Sequence, residues 1–109
     1  MNLNHHGPQD YQSLLMHQEA VRMIQADPSL TDKALEILAR WDTHVSVRSK
    51  PLRDRWIQII KSRDWACAIE DSERGNQLRQ ASPMATLLPN PVRLAIIRQV
   101  RKLKDEQHA

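Results

Sequence analysis

Proline placement restricts the fold of this chain more than any other feature of its sequence. The 109 residues contain six prolines, only two glycines and no phenylalanine. Proline is accepted in the first turn of a helix but breaks the interior, and the residue before it disfavours helical backbone. Scarce glycine argues against folds that need many tight turns, such as all-β sandwiches. The prolines stand at positions 8, 28, 51, 83, 89 and 91 and divide the chain into pieces of helix length.

Apolar residues recur at helical spacing inside these pieces. A first helix is predicted from about Asp10 to Ala26, and a second helix is predicted to begin with Thr31 as its N-cap. The run Ser49-Lys50-Pro51 opens a third helix, with proline in the first turn. Asp64 is the predicted N-cap of a fourth helix, which Gly75-Asn76 would break or cap.

These elements predict an all-α protein, a compact bundle of four or five helices with short connections and no strand. Residues 1–9 are predicted to form a flexible N-terminus, and residues 10–109 a single helical domain. A last helix, capped by Asn90, is predicted to bury one stripe of four residues: Val92, Ile96, Val100 and Leu103. A second predicted core group is Trp56 with Leu52, Ile59 and Ile60.

Several functional classes lack the residues that they need. The single cysteine, Cys67, cannot form an internal disulfide or a multi-cysteine metal site, and the five histidines show no metal-ligand spacing. No Ser-His-Asp triad, paired-carboxylate site or phosphate loop is recognisable. We therefore expect no enzymatic activity, no cofactor and no bound metal. Without a long apolar run or a secretory signal, the chain is expected to act in the cytoplasm and not in a membrane.

Charge is distributed unevenly along the chain. Residues 1–47 hold six acidic and three basic residues, whereas residues 74–104 hold seven basic residues and no acid. Such asymmetry indicates an anionic partner for the C-terminal third, self-complementary packing of the two ends of the chain, or a basic face that is simply solvated. The basic residues of that third are Arg74, Arg79, Arg93, Arg98, Arg101, Lys102 and Lys104.

The last helix also carries apolar residues outside its core stripe. Leu94, Ile97 and Arg101 follow one another at helical spacing, and the preceding proline-bounded turn is expected to expose two leucines. Apolar residues within a basic rim, here Arg79, Arg93 and Arg98, have the anatomy of an interface. The predicted partner-binding residues are Leu87, Leu88, Leu94, Ile97 and Arg101. Alternatively, this helix is buried on two sides within its own bundle.

DNA binding is a second hypothesis for the basic third. Its predicted phosphate contacts are Arg98, Arg101 and Lys102. A helix-turn-helix with residues 64–79 as its recognition helix is a weaker version, because that helix would carry three acids toward the phosphates: Glu70, Asp71 and Glu73.

A sequence motif between positions 73 and 83 adds a resemblance. The residues Glu73-Arg74-Gly75-Asn76-Gln77-Leu78-Arg79-Gln80-Ala81-Ser82-Pro83 resemble an E-x-G-x-x-L-R-Q-x-S-P pattern found in small helical bacterial proteins of toxin–antitoxin-like operons. The resemblance implies an antitoxin that binds and neutralises a cognate toxin, and many antitoxins also bind DNA. A second copy of this chain is a further candidate partner. Within the motif, we expect Leu78 to pack, Arg79 and Gln80 to point outward, and Ser82-Pro83 to cap and redirect the chain.

Overall fold

The computed structural model describes the backbone of residues 7–108 and the side chains of residues 7–106. This part of the chain contains six α-helices, two short 3-10 helices and no strand, so the all-α prediction is confirmed. The α-helices are α1 (Gly7–Ala26), α2 (Leu30–Trp41), α3 (Lys50–Ser62), α4 (Trp65–Ala68), α5 (Glu73–Arg79) and α6 (Asn90–His108). The 3-10 helices are Val47–Ser49 and Met84–Leu87. No helix among the described residues is long and apolar enough to cross a membrane.

Helix α1 is the element around which the others pack. It contacts α2, α4, α5, α6 and the 3-10 helix Met84–Leu87. A broad face is therefore buried, formed by Leu14, Met16, His17, Ala20, Val21 and Ile24. The predicted first helix is confirmed, but it begins at Gly7, three residues before the predicted domain boundary. Residues 1–6 of the predicted flexible N-terminus lie outside the described residues.

The predicted second core group is confirmed for three of its four residues. Trp56, Ile59 and Ile60 of α3 are inaccessible to solvent, while Leu52 is only partly buried against the core. Burial of large apolar side chains is the main source of stability in a domain of this size. The indole nitrogen of Trp56 donates a hydrogen bond of 2.6 Å to the carbonyl oxygen of Leu78. This bond joins α3 to α5 across the core.

A buried arginine holds the connection between α2 and α3. Arg53 is 2% exposed, and its guanidinium donates to Asp42 Oδ1, to the Ser46 carbonyl oxygen at 2.9 Å and to Ser49 Oγ. These acceptors satisfy the buried charge and fix the loop against the first turn of α3. The N-cap of α2 is Ser29, two residues before the predicted Thr31, which lies inside the helix.

The corner between α3 and α4 is only two residues long. Arg63 takes the left-handed conformation, with φ of 58°, and its N–H bonds back to the end of α3. Left-handed residues end many helices in this way, although glycine is the usual choice. Asp64 then precedes α4, but its side chain makes no capping hydrogen bond.

The predicted fourth helix is two helices, α4 and α5, which raises the count to six. Ser72 is extended, and its hydroxyl accepts a hydrogen bond of 3.0 Å from the Gly75 N–H, as an N-cap does. The expected break at Gly75-Asn76 is wrong, because both residues lie inside α5. Glycine is needed there for space: a Cβ at position 75 would lie 2.1 Å from the Glu70 carbonyl oxygen.

Candidate functional site

Helix α6 divides into a packed side and an outward side. It packs along α1. The predicted core stripe is confirmed, since Ile96 and Val100 are buried and Val92 and Leu103 are partly buried. The opposite side of the helix is left to solvent at the positions whose side chains the structure describes.

Leu94, Arg98 and Arg101 lie on that outward side, and we call this set the α6 face. Their spacing of four and then three residues places them along one line of the helix. Arg98 and Arg101 are exposed, and Leu94 is 48% exposed. Within the described residues, Leu94 and Val47 are the two exposed large hydrophobic residues. An exposed leucine flanked by arginines is therefore a rare feature of this surface.

Three of the residues predicted for the interface are not exposed as expected. Leu87 and Leu88 are only 7% and 4% exposed, so their predicted exposure is wrong. The reason is that the 3-10 helix Met84–Leu87 packs against α1 and α2 and turns its apolar residues into the core. Ile97 is half-buried and packs against the core, which supports the alternative of a helix buried on more than one side at this position. Of the predicted apolar patch, Leu94 is exposed and Ile97 is partly exposed.

Arg79 is not part of a basic rim and does not point outward, contrary to both expectations. It is 4% exposed and lies under the α4–α5 connection. Its guanidinium donates to the Glu70 carbonyl oxygen at 2.9 Å and to Asn76 Oδ1 at 2.7 Å. Burial lowers the pKa of Arg79, an effect that nearby acids, Asp71 first, oppose. Arg79 thus supports the backbone, whereas Gln80 is exposed as predicted.

Ser82 is the second anchor of the motif, although the N-cap of the following 3-10 helix is Pro83 and not Ser82. Its hydroxyl accepts a hydrogen bond of 3.0 Å from the Met84 N–H and lies 2.7 Å from His17 Nε2. His17 Nδ1 lies 2.7 Å from the Ser13 carbonyl oxygen, which can only accept, so Nδ1 carries the proton. Nε2 of the neutral ring then accepts from Ser82. The His17 ring also lies 5.7 Å from the Trp56 ring.

The motif residues therefore build the fold more than they present a surface. Gly75 allows a close backbone approach, Leu78 is buried and accepts from Trp56, and Arg79 and Ser82 tie turns together. Pro83 is fully buried. The hydrogen-bonding residues of the motif face inward, and a sequence pattern alone does not separate such inward residues from outward ones.

A cavity of about 520 Å³ lies among α3, α4 and α5. Cys67 lines it and is half-buried. The guanidinium of Arg55 donates to Cys67 Sγ at 3.4 Å. Because α4 and α5 are separate helices of four and seven residues, the continuous recognition helix considered for residues 64–79 is not present.

No three His, Cys, Asp or Glu residues are placed to share a metal ion within the part of the chain that the structure describes. No family model matches this chain, and neither the curated proteins nor the solved structures include a match to it. The function must therefore be inferred from the geometry of the molecule itself.

Proposed function

We propose that this chain is an antitoxin-like interaction protein, which binds and neutralises a cognate toxin in the cytoplasm through the α6 face. The observation that carries the proposal is the exposure of Leu94 between arginines on a helix whose other side is packed against α1. The resemblance of the motif to small proteins of toxin–antitoxin-like operons supplies the class of partner.

The chemistry of the α6 face fits a groove on a partner protein. Leu94 offers an apolar anchor, while Arg98 and Arg101 offer long side chains that form multiple hydrogen bonds to carboxylates. Arginine is enriched at the residues that dominate binding energy in interfaces. A helix that is already folded loses little conformational entropy on docking. We therefore expect an acidic, partly apolar groove on the partner that accepts one helix.

The test is the product of the gene next to this one, expressed alone and together with this chain. We expect growth arrest when that product is expressed alone and normal growth when both are expressed. The variant Leu94→Asp should fail to restore growth. The matched control is Val47→Asp, because Val47 is also an exposed large hydrophobic residue but lies on a different element. Equal rescue by both variants would exclude the α6 face as the neutralising surface.

DNA binding is the second candidate, and one observation favours it. Arg98, Arg101 and Lys102 are all exposed on the same helix. None of the three has a carboxylate within 4 Å among the described side chains. Free guanidinium and ammonium groups in this arrangement are suited to phosphate contacts.

Salt dependence separates the two candidates. If three phosphate contacts hold the duplex, the logarithm of the binding constant should fall linearly with the logarithm of the salt concentration. Glutamine at all three positions should make the slope of that line shallower by about 2.7. An apolar protein interface should depend weakly on salt. An unchanged affinity and slope in the triple variant would exclude this surface as a DNA site.

A further inference from the structure

The acid-rich half of the chain contains one cationic groove. Residues 1–47 hold only three basic residues. Arg22 is paired with Glu19 on α1. The other two, Lys33 and Arg40, line the same groove between α2 and the 3-10 helix Met84–Leu87. In a region with twice as many acids as bases, both unpaired bases therefore converge on one place.

The groove is shallow and open to solvent, and its lining is cationic. Its volume is about 430 Å³, within the usual range for ligand pockets. The lining residues are Lys33, Ile37, Arg40, Trp41, His44 and Thr86. No carboxylate lines it, and among the described side chains neither Lys33 nor Arg40 has an acid within 4 Å. An anion is thus the ligand that this lining favours.

The spacing of Lys33 and Arg40 along α2 indicates the length of an anion that contacts both. Lys33 and Arg40 are seven residues apart, which is about 10 Å along a helix axis. A ligand that lies along α2 and contacts both side chains therefore needs negative charge spread over several ångströms, as a polyphosphate chain has. Trp41, half-buried with its other contacts in the core, follows directly at the Arg40 end. A partly exposed indole beside a guanidinium is suited to stack a planar ring.

We propose that this groove binds a nucleoside polyphosphate, with the base against Trp41 and the phosphate chain running along α2 past Arg40 toward Lys33. This site is distinct from the α6 face and does not depend on the function proposed for it. Thr86 closes the groove from the 3-10 helix. Nucleotide binding would therefore bridge α2 and the segment that packs on α1.

Calorimetric titration of the full chain with ATP, adenosine and inorganic tripolyphosphate tests the proposal. ATP should bind more tightly than either of the other two compounds by about tenfold or more, because only ATP uses both the indole and the cations. Arg40→Gln and Lys33→Gln should each weaken ATP binding by about tenfold. The matched control is Arg48→Gln, since Arg48 is exposed outside the groove. The affinity of this variant for ATP should lie within about twofold of the affinity of the unchanged chain.

Trp41→Phe supplies an independent measurement. This variant should lose the quenching of indole fluorescence by ATP and keep its affinity for tripolyphosphate. Because Lys33 and Arg40 are exposed, their variants leave the proposal testable even if Trp41→Phe fails to fold. Three results would overturn the proposal: no ATP binding at millimolar concentration, equal affinity for ATP and tripolyphosphate, or tighter binding of a ten-nucleotide single strand than of ATP.

Discussion

His17 should make the stability of this protein sensitive to mild acid. The ring is fully buried on α1, with Nδ1 bonded to the Ser13 carbonyl and Nε2 facing the Ser82 hydroxyl. Removal from water is the main reason that the pKa of His17 falls to about 4; the hydrogen bond to the Ser13 carbonyl opposes this effect, and the nearby Arg79 charge adds a smaller lowering. The ring is therefore neutral in the folded protein down to about pH 4.

The sign and size of the effect follow from proton linkage. In the unfolded chain the pKa of a histidine is about 6.5, so below that pH the unfolded state binds a proton that the folded state does not. The free energy of unfolding must then fall as the pH drops from about 6.5 to about 4. A pKa difference of about 2.5 corresponds to a loss of about 3 kcal/mol, a large fraction of the stability of a small domain.

Urea unfolding followed by far-ultraviolet circular dichroism at several pH values measures this loss. The comparison protein is His17→Gln, which lacks the titrating ring. Contributions from distant carboxylates cancel when the two free energies are subtracted. The advantage of the unchanged chain over His17→Gln should shrink by about 3 kcal/mol between about pH 7.5 and about pH 4. A difference that stays constant over this range would show that His17 is either solvated or charged in the folded state.

Three further substitutions test the packing, each by the free energy of unfolding. Trp56→Ala should lower the free energy of unfolding by about 3–5 kcal/mol. Trp56→Phe should lower it less, because it removes mainly the hydrogen bond to Leu78. A loss under about 1 kcal/mol for the alanine variant would contradict the buried position of Trp56. Gly75→Ala should destabilise by about 1–3 kcal/mol despite the better helix propensity of alanine, since its Cβ would meet the Glu70 carbonyl. A gain in stability would refute that contact. Arg63→Gly should raise the free energy of unfolding by about 0.5–1 kcal/mol, because glycine adopts the left-handed conformation without steric cost. A lower free energy of unfolding would mean that the Arg63 side chain itself stabilises the corner.

The sequence predicts most of the helices because proline and apolar spacing act locally. The stripes on α1, α3 and α6 follow from residues that recur every third or fourth position, and burial on one side requires little knowledge of the rest of the chain. The corner before α4 was also predictable, since a run of polar residues separates two apolar segments there. Element type for such strongly periodic segments is the most reliable prediction from a single sequence.

The connection between α4 and α5 could not be placed in the same way. Its position depends on the cap by Ser72 and on the close approach of Gly75 to a carbonyl from the previous turn. The second contact depends on the path of the backbone between α4 and α5, and glycine within a helical pattern is more often interpreted as a break. Ser72 followed by Glu73 was the one local indication of a helix start.

The candidate interface was only partly predictable for a related reason. Leu94 is exposed as its position off the core stripe indicates, but the exposure of Leu87 and Leu88 depends on what the 3-10 helix packs against. Two helices, α1 and α2, cover that segment, and spacing along the chain does not reveal them. The cationic groove was missed because Lys33, Arg40 and the side chain of Thr86 are brought together by tertiary contacts.

The proposal that the α6 face binds a protein partner predicts a loss of affinity in Leu94→Asp for the purified product of the adjacent gene. Calorimetric titration should show binding by the unchanged chain and by Val47→Asp within about twofold of each other. Binding by Leu94→Asp should be weaker by about a hundredfold, because a charge would enter an apolar contact, while circular dichroism shows the same helical content. Equal affinity of the two variants, or no binding by the unchanged chain, would contradict the claim.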